Sequence, residues 1–287
     1  MGRPAQVMTK LKISPGEFKN FTRYILDISG IALDTGKEYL LETRLYPLVT
    51  RLKCNSYDEL LNMAKYDRKK ELENEIIDAI STNETYFFRD KLPFQLLQHK
   101  IIPDLIDKRT PKSHGLKPNI RLWSAASSTG QEIYSIAMIL KEMGITPENY
   151  NVKLFGTDIS DAAVSQASYG LYNKFEVARG LDPVRLSKYF DKQSNGYKIK
   201  DEIRMMAQFK KLNLMMPFSN LGKFDIILCR NVMIYFSSEH RKKIYQNLAQ
   251  MLEPDGYLII GSTESLINDT DLFTASKYLN SIFYQLK

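Results

Sequence analysis

Along the first third of the chain, apolar residues recur at three- and four-residue steps, the rhythm of helices that bury one face. Ser14, Pro15 and Glu17 read as an N-cap, a first-turn proline and a capping-box acid. Phe18, Phe21, Tyr24, Ile25 and Ile28 follow at helical spacing, and Gly30 stops the run. A second helical stretch spans about 37–53, with Leu41, Leu45, Leu48 and Leu52 facing inward and Pro47 predicting a kink or a restart. Ser56 with Glu59 opens a short helix through Met63, and a further one covers 71–80 with apolar residues at 72, 76, 77 and 80. Helical rhythm continues to about Ile106, so the first region reads as an all-helical bundle.

After the polar stretch 109–119 the pattern changes. Short apolar runs at 120–126, 152–159, 224–231 and 257–262 read as strands, and helical spacing returns from Ile133 to Leu140, over 161–168 and over 238–252. Strands alternating with helices predict a parallel sheet covered on both faces, with its chemistry at the carboxyl ends of the strands. Residues 171–215 break the alternation. Asn195-Gly196, flanked by Tyr189, Phe190, Tyr197 and Ile199, predicts a hairpin in a small antiparallel insertion.

Composition narrows the class. The 287 residues are 44% hydrophobic and 25% charged, an ordinary globular balance. No apolar run approaches the roughly 20 residues of a membrane span, and no apolar signal core opens the chain. Gln6 stands where a myristoylation pattern wants Ser or Thr. Cys54 and Cys229 are too few for a disulfide scaffold and suit a reducing cytoplasm. His99, His114 and His240 show no metal-ligand spacing, so no metal is expected. The formal charge of +7 favours an acidic partner without choosing among nucleic acid, membrane and protein.

Candidate chemistry sits where strands end. The first strand runs into Ala125-Ala126-Ser127-Ser128-Thr129-Gly130-Gln131-Glu132, small residues that let a ligand approach the backbone. The G-x-G-x-x-G fingerprint is absent, and Glu132 in the first turn of the next helix suits a cationic ligand better than a phosphate. A plain strand-to-helix turn accounts for the same residues. Asp158, at the end of the second strand, fits a ribose-binding acid or the N-cap of the following helix, a place Ser160 also fits. Arg230-Asn231 interrupts the end of the third strand, where polar groups need water or partners. Cys229 has no nearby histidine base and reads as structural. Between the helical regions, 81–90 packs three serine and threonine hydroxyls, an amide, three aromatics and an arginine into ten residues, the composition of a ligand lid.

Four segments in order carry a family resemblance: Thr82-Asn83-Glu84-Thr85-Tyr86-Phe87-Phe88-Arg89; 123–137 around Ser127-Ser128-Thr129-Gly130-Gln131-Glu132; Gly156-Thr157-Asp158-Ile159; and Cys229-Arg230-Asn231-Val232-Met233-Ile234-Tyr235-Phe236. From about residue 12 to the end the chain resembles the CheR family of chemotaxis-receptor methyltransferases, with Gly-Gln-Glu-Ile-Tyr-Ser where the family usually has Gly-Glu-Glu-Pro-Tyr-Ser. The resemblance implies an all-helical receptor-recognition domain (12–80), a linker and lead-in helix (81–119), and a Rossmann-like α/β methyltransferase domain (120–287). That last domain would carry a small antiparallel β insertion near 185–210. It implies S-adenosylmethionine as cofactor and glutamate side chains of a cytoplasmic receptor helical bundle as substrate. Asn83, Thr85, Arg89, Glu132, Asp158, Asn213, Leu214, Asn231 and Val232 are the implied cofactor contacts. Glu132 would take the methionine amino group and Asp158 the ribose hydroxyls. Arg89 and Tyr235 are the candidates for holding the incoming glutamate. The short loop 192–196 predicts no tether to a receptor C-terminal pentapeptide.

Arg44 and Arg51, seven apart on one helix face with Lys53 close by, are candidate receptor contacts; a solvated basic face is the competing reading. A nucleic-acid methyltransferase would suit the basic charge, but the third strand lacks the Asn/Asp-Pro-Pro-Tyr ending expected for base amino groups, and no aromatic-interleaved basic groove is seen. A non-catalytic sensor that binds the cofactor is the third reading. No nucleic acid and no direct membrane insertion are expected.

Overall fold

The computed structural model describes residues 11–218 and 221–287. The reading of Gln6 lies outside them. The chain separates into two compact units, one ending at Ser81 and the other spanning Thr82–Lys287.

The first unit holds α1 (Pro15–Ser29), α2 (Glu38–Arg51), α3 (Tyr57–Tyr66) and α4 (Glu71–Ile80). Phe21, Ile25, Leu41, Leu45, Tyr57, Leu60 and Ile76 are its fully buried centre. The capping box at Ser14 is complete, and Glu17 reaches further: its Oε1 accepts the amides of Tyr57 and Asp58, so one carboxylate serves the first turns of both α1 and α3. Ser56 caps α3, but Glu59 bonds Asn55 instead of closing a second box. Pro47 sits inside α2 without restarting it.

In the second unit, the lead-in helix runs as α5 (Leu92–Leu96), a π-helical turn (Leu97–Ile101) and α6 (Ile102–Arg109). Its buried residues Phe94, Leu97, Ile101 and Leu105 share a core with Ile133 and Tyr134, so this segment is no part of the helical bundle that its rhythm predicts. The remaining elements are β1 (Asn119–Ala125), α7 (Gln131–Glu142), β2 (Asn151–Asp158), α8 (Asp161–Tyr169), β3 (Leu171–Tyr172), α9 (Lys174–Ala178) and α10 (Pro183–Tyr189). Then come β4 (Phe190–Gln193), β5 (Gly196–Ile199), α11 (Asp201–Arg204), β6 (Ala207–Lys211), β7 (Phe224–Cys229), α12 (Ser238–Met251), β8 (Leu252–Ile260), β9 (Phe273–Tyr278) and β10 (Ser281–Leu286).

The main sheet has the order β6-β2-β1-β7-β8-β10-β9, parallel as far as β8, with β10 antiparallel to both neighbours. Strand alternation sorts the two faces. Leu122, Ile226, Leu228 and Ile259 enter one core, while Trp123, Ile227, Cys229 and Leu258 enter the other, which α12 covers with Ile244, Tyr245 and Leu248. The order reverses direction beside β1, the switch point at which an open parallel sheet leaves a crevice beyond its carboxyl ends.

The insertion is a three-stranded sheet, β3-β5-β4. Its hairpin differs by one residue from the expectation. Gln193 pairs with Gly196, so Ser194-Asn195 make the turn and Gly196 already belongs to β5. Glycine is needed there for close approach: a Cβ would lie 2.4 Å from the Tyr172 carbonyl oxygen. β6, assigned to the insertion by sequence, returns to the main sheet as its parallel edge. Its short, lysine-ended, one-sided pattern is what an edge strand requires.

Candidate active site

Four neighbouring strands deliver the candidate residues to one edge of the sheet. Asn213 and Leu214 follow β6, Asp158 ends β2, Glu132 opens α7 after β1, and Asn231-Val232 follow β7. The backbone there is held in uncommon conformations. Ala126 (φ 59°), Ser128 (φ 52°) and Asn231 (φ 57°) are left-handed, and so are Phe88 (φ 54°), Asp90 (φ 66°) and Lys91 (φ 44°) in the linker. Each such residue carries about 1–3 kcal/mol of strain that its surroundings must override.

The overriding contacts are specific. Asp158 accepts the Ser128 amide (2.8 Å) and the Ser160 amide (3.0 Å), fixing the loop after β1 to the end of β2. Ser160, not Asp158, caps α8 through the Ala163 amide. Glu264, which sequence reasoning missed, accepts the amides of Asn231 (2.9 Å), Met233 (3.0 Å) and Gly261 (2.7 Å) and so shapes the turn that carries Tyr235. An acid three residues beyond a strand-ending glycine was its only sequence signal. Gly130 is left-handed (φ 93°). The space a side chain would need is filled by Ala167, 2.9 Å away, and by the Phe209 ring, so the close approach this glycine permits is made by the protein itself.

Glu132 is mostly buried and doubly held. Its Oε1 accepts Ser124 Oγ (2.8 Å), and its Oε2 pairs with Arg230 Nη1 (2.6 Å). Arg230, only 2% exposed at its side chain, also donates from Nη2 to Asp90 Oδ2 (2.8 Å) and to the Arg89 carbonyl (3.0 Å). Its Nε has no partner among the described residues, and neither does the buried Ser127 Oγ. An orphaned buried donor of this kind costs about 1–3 kcal/mol.

The linker divides its side chains between two tasks. Phe87 packs edge-on against Tyr172 (5.1 Å) and Phe190 (5.5 Å), and Phe88 against Phe94 (5.4 Å). Two of the three aromatics that give this segment the composition of a ligand lid are therefore core anchors. The Arg179 and Arg89 guanidinium groups both approach the Tyr86 ring, at 4.2 and 5.7 Å from its centroid. The Phe88 amide donates to Ser135 Oγ (3.0 Å) and Ser128 Oγ to the Asn83 carbonyl (3.1 Å), bringing the linker onto the β1 loop. Arg89 Nη1 donates to the Glu84 carbonyl (2.6 Å). Thr85, Val232 and Tyr235 are half-buried, Tyr235 closing a 3-10 turn at Met233–Tyr235. Asn213 Oδ1 accepts the Met215 amide (2.9 Å), and Leu214 is buried in the core on the α12 side. Burial, then the Glu264 carboxylate, pushes the Cys229 thiol well above its ordinary range, so it is no nucleophile.

In the first unit, Arg44 and Arg51 both lie on α2, while Lys53 falls beyond its end in a left-handed conformation (φ 57°). Arg44 donates to the Ile80 and Ser81 carbonyls that end α4, and Arg51 pairs with Glu75, so the two arginines close contacts within their own unit. Lys53 is exposed. Among the described residues no group of three His, Cys, Asp or Glu could hold a metal ion.

Comparison with known proteins matches the two units separately. Residues 16–81 match the CheR methyltransferase all-alpha domain, and residues 83–281 match the CheR methyltransferase SAM-binding domain. The chain belongs to the CheR methyltransferase family. It is 39% identical over 286 residues to chemotaxis protein methyltransferase 1 of Vibrio cholerae serotype O1, covering 98% of this chain and all of that one. It is 40% identical over 286 residues to the chemotaxis protein methyltransferase of Vibrio parahaemolyticus, with the same coverage. Against chemotaxis protein methyltransferase Cher2 of Pseudomonas putida it is 35% identical over 275 residues, 94% of this chain and 98% of the other.

The second unit of this CheR methyltransferase is thus a Rossmann-like S-adenosylmethionine-binding domain, and its site residues fit that cofactor. Two carboxylates, Glu132 and Asp158, stand at adjacent strand ends, where ammonium and ribose hydroxyl donors would find acceptors. Glu132 accepts one protein donor on each oxygen, which leaves each with a second lone pair. The unpartnered Ser127 Oγ is a further polar atom of the same loop.

Proposed function

We propose that this methyltransferase esterifies glutamate side chains on the cytoplasmic helical bundle of chemotaxis receptors. The observation that carries the reading is the match along both units to curated chemotaxis methyltransferases, together with the gathering of the candidate residues on one sheet edge. The cofactor supplies a methyl group on a positively charged sulfur. Glu132 holds the amino group of its methionine end and Asp158 its ribose hydroxyls. Asn213-Leu214 and Asn231-Val232 frame the adenine and the donor end, and Asn83, Thr85 and Arg89 cover them from the linker.

A glutamate is ionised at neutral pH, so its oxygen needs no general base. What the chain must supply is alignment of that oxygen with the methyl–sulfur axis and exclusion of water. Arg89 and Tyr235 hold the incoming carboxylate; Arg89 is tied to the site through its own carbonyl, and Tyr235 through the turn that Glu264 shapes. Arg44, Arg51 and Lys53 contribute to receptor recognition, with exposed Lys53 the most available of the three. The loop 192–196 is a tight hairpin, which supports binding without a receptor pentapeptide tether. Among the described residues no helix is long and apolar enough to cross a membrane.

The test is transfer from labelled S-adenosylmethionine to a receptor cytoplasmic fragment, followed by mild base. Label released as methanol identifies a carboxyl methyl ester. Base-stable label would move the target to nitrogen or carbon and end the glutamate assignment.

A further inference from the structure

The linker holds three left-handed non-glycine residues, Phe88, Asp90 and Lys91, within four positions. Such a segment keeps its shape only if fixed contacts outweigh its preference for other conformations. Phe88 is secured by the Ser135 hydroxyl and by its ring packing. For Arg89-Asp90 the anchor is one buried guanidinium: Arg230 takes the Arg89 carbonyl and the Asp90 carboxylate with Nη2, and Glu132 with Nη1. The planar fork of an arginine presents these donors from two nitrogens at once, whereas the three donors of a lysine ammonium all sit on one atom. Arg230 leaves its Nε without a partner in this pose, so the pose follows the three contacts and not the needs of the guanidinium alone.

From this geometry we infer that Arg230 is a positioning residue: its fork registers the Arg89-bearing linker on Glu132, coupling the acid at the cofactor site to the segment that presents the substrate-holding arginine. The inference rests on the proposed role of Arg89 in turnover, but its structural half is separable. Asp90→Asn weakens the linker arm of the fork and leaves the Arg230–Glu132 pair in place. Arg230→Lys keeps one positive charge but gathers its donors on one atom.

The experiment combines hydrogen exchange of 83–91, calorimetric titration with S-adenosylhomocysteine, and methyl-transfer kinetics on the full-length protein. In Asp90→Asn, exchange of 83–91 should accelerate at least several-fold while the rest of the second unit keeps its protection. Its S-adenosylhomocysteine affinity should fall only a few-fold, because the linker contacts of Asn83, Thr85 and Arg89 loosen while Glu132 and Asp158 stay in place, and kcat should fall about ten-fold, more than cofactor KM rises. Arg230→Lys should show the same local exchange and a similar loss of kcat. Unchanged exchange of 83–91 in Asp90→Asn would overturn the inference, and so would faster exchange spread evenly through the unit, the mark of a purely structural residue. Localised exchange without any change in kcat would overturn the catalytic half. If the wild-type protein itself makes no base-labile ester, the proposed substrate fails, while the exchange result still decides the coupling.

Discussion

The two ends of the parallel sheet are built on opposite plans. At the amino-terminal end, Arg109 binds Asp225 through Nε (3.1 Å) and Nη2 (2.6 Å), and Asp255 through Nη1 (2.7 Å) and Nη2 (2.8 Å), while the second Asp225 oxygen accepts the Arg121 amide (2.8 Å). This network fastens the lead-in helix to the starts of β7 and β8. At the carboxyl end stand Ala126, Ser128 and Asn231 in left-handed conformations, with the orphaned Ser127 Oγ and Arg230 Nε. One end uses its ion pairs for cohesion. The other holds strain and spare hydrogen-bonding capacity around a charged cluster, as a site that must receive a ligand does.

The largest effect that tests this contrast is on the cohesive end. Arg109→Ala leaves two carboxylates without their cation, and about 3–5 kcal/mol of stability should be lost in denaturant unfolding. Cofactor affinity of the folded protein should stay as it was. Glu132→Gln should reverse the pattern, because Asp90 still neutralises Arg230. Its titration with S-adenosylmethionine should show binding weaker by about 10–100-fold, equivalent to one charge-assisted hydrogen bond, with the unfolding midpoint moved much less. A result in which both variants lose stability and affinity alike would dissolve the distinction between the two ends.

Gly130→Ala probes how tightly the carboxyl end is packed. A Cβ in a left-handed residue 2.9 Å from Ala167 should lower stability by about 1–3 kcal/mol, read from the same unfolding curves. The pH dependence is smaller. Hydrogen bonding to Arg109, then its charge, holds the Asp255 carboxyl down from 3.8 to about 2. A depressed folded-state value means stability that is complete above the unfolded value near 4 and is lost as pH falls toward about 2. Asp255→Asn should flatten that acid limb without changing the profile near neutrality. The smallest effect concerns the thiols: brief alkylation of the native protein should label half-exposed Cys54 and spare buried Cys229, as peptide mass spectrometry would read.

Charge makes a second contrast. Residues 171–211 carry ten basic and five acidic side chains, whereas residues 11–81 carry eleven and twelve. The excess that composition reports for the whole chain is therefore concentrated in residues 171–211 and not in residues 11–81, which hold Arg44 and Arg51.

What the sequence determined by itself were the elements whose reasons are local. The Ser14 box, the leucine face of α2, the alternation of strands and helices, and the polar residues at the strand ends all follow from spacing and capping that a few neighbouring residues settle. The tertiary structure decided what depends on residues far apart in the chain. Helical rhythm could not tell that Leu92–Arg109 packs with the sheet and not with the bundle, because an amphipathic face does not name its partner. The weak patterns of β6, β9 and β10 become strands only through their neighbours' hydrogen bonds. Gly196 is required by a carbonyl 24 residues earlier in the chain, and Phe87 is a core residue only because β3 and β4 come to meet it. Arg230 stood out in sequence only as a polar break. Its meaning lies in Asp90 and Glu132, 140 and 98 residues away, which the fold alone brings within reach of one guanidinium.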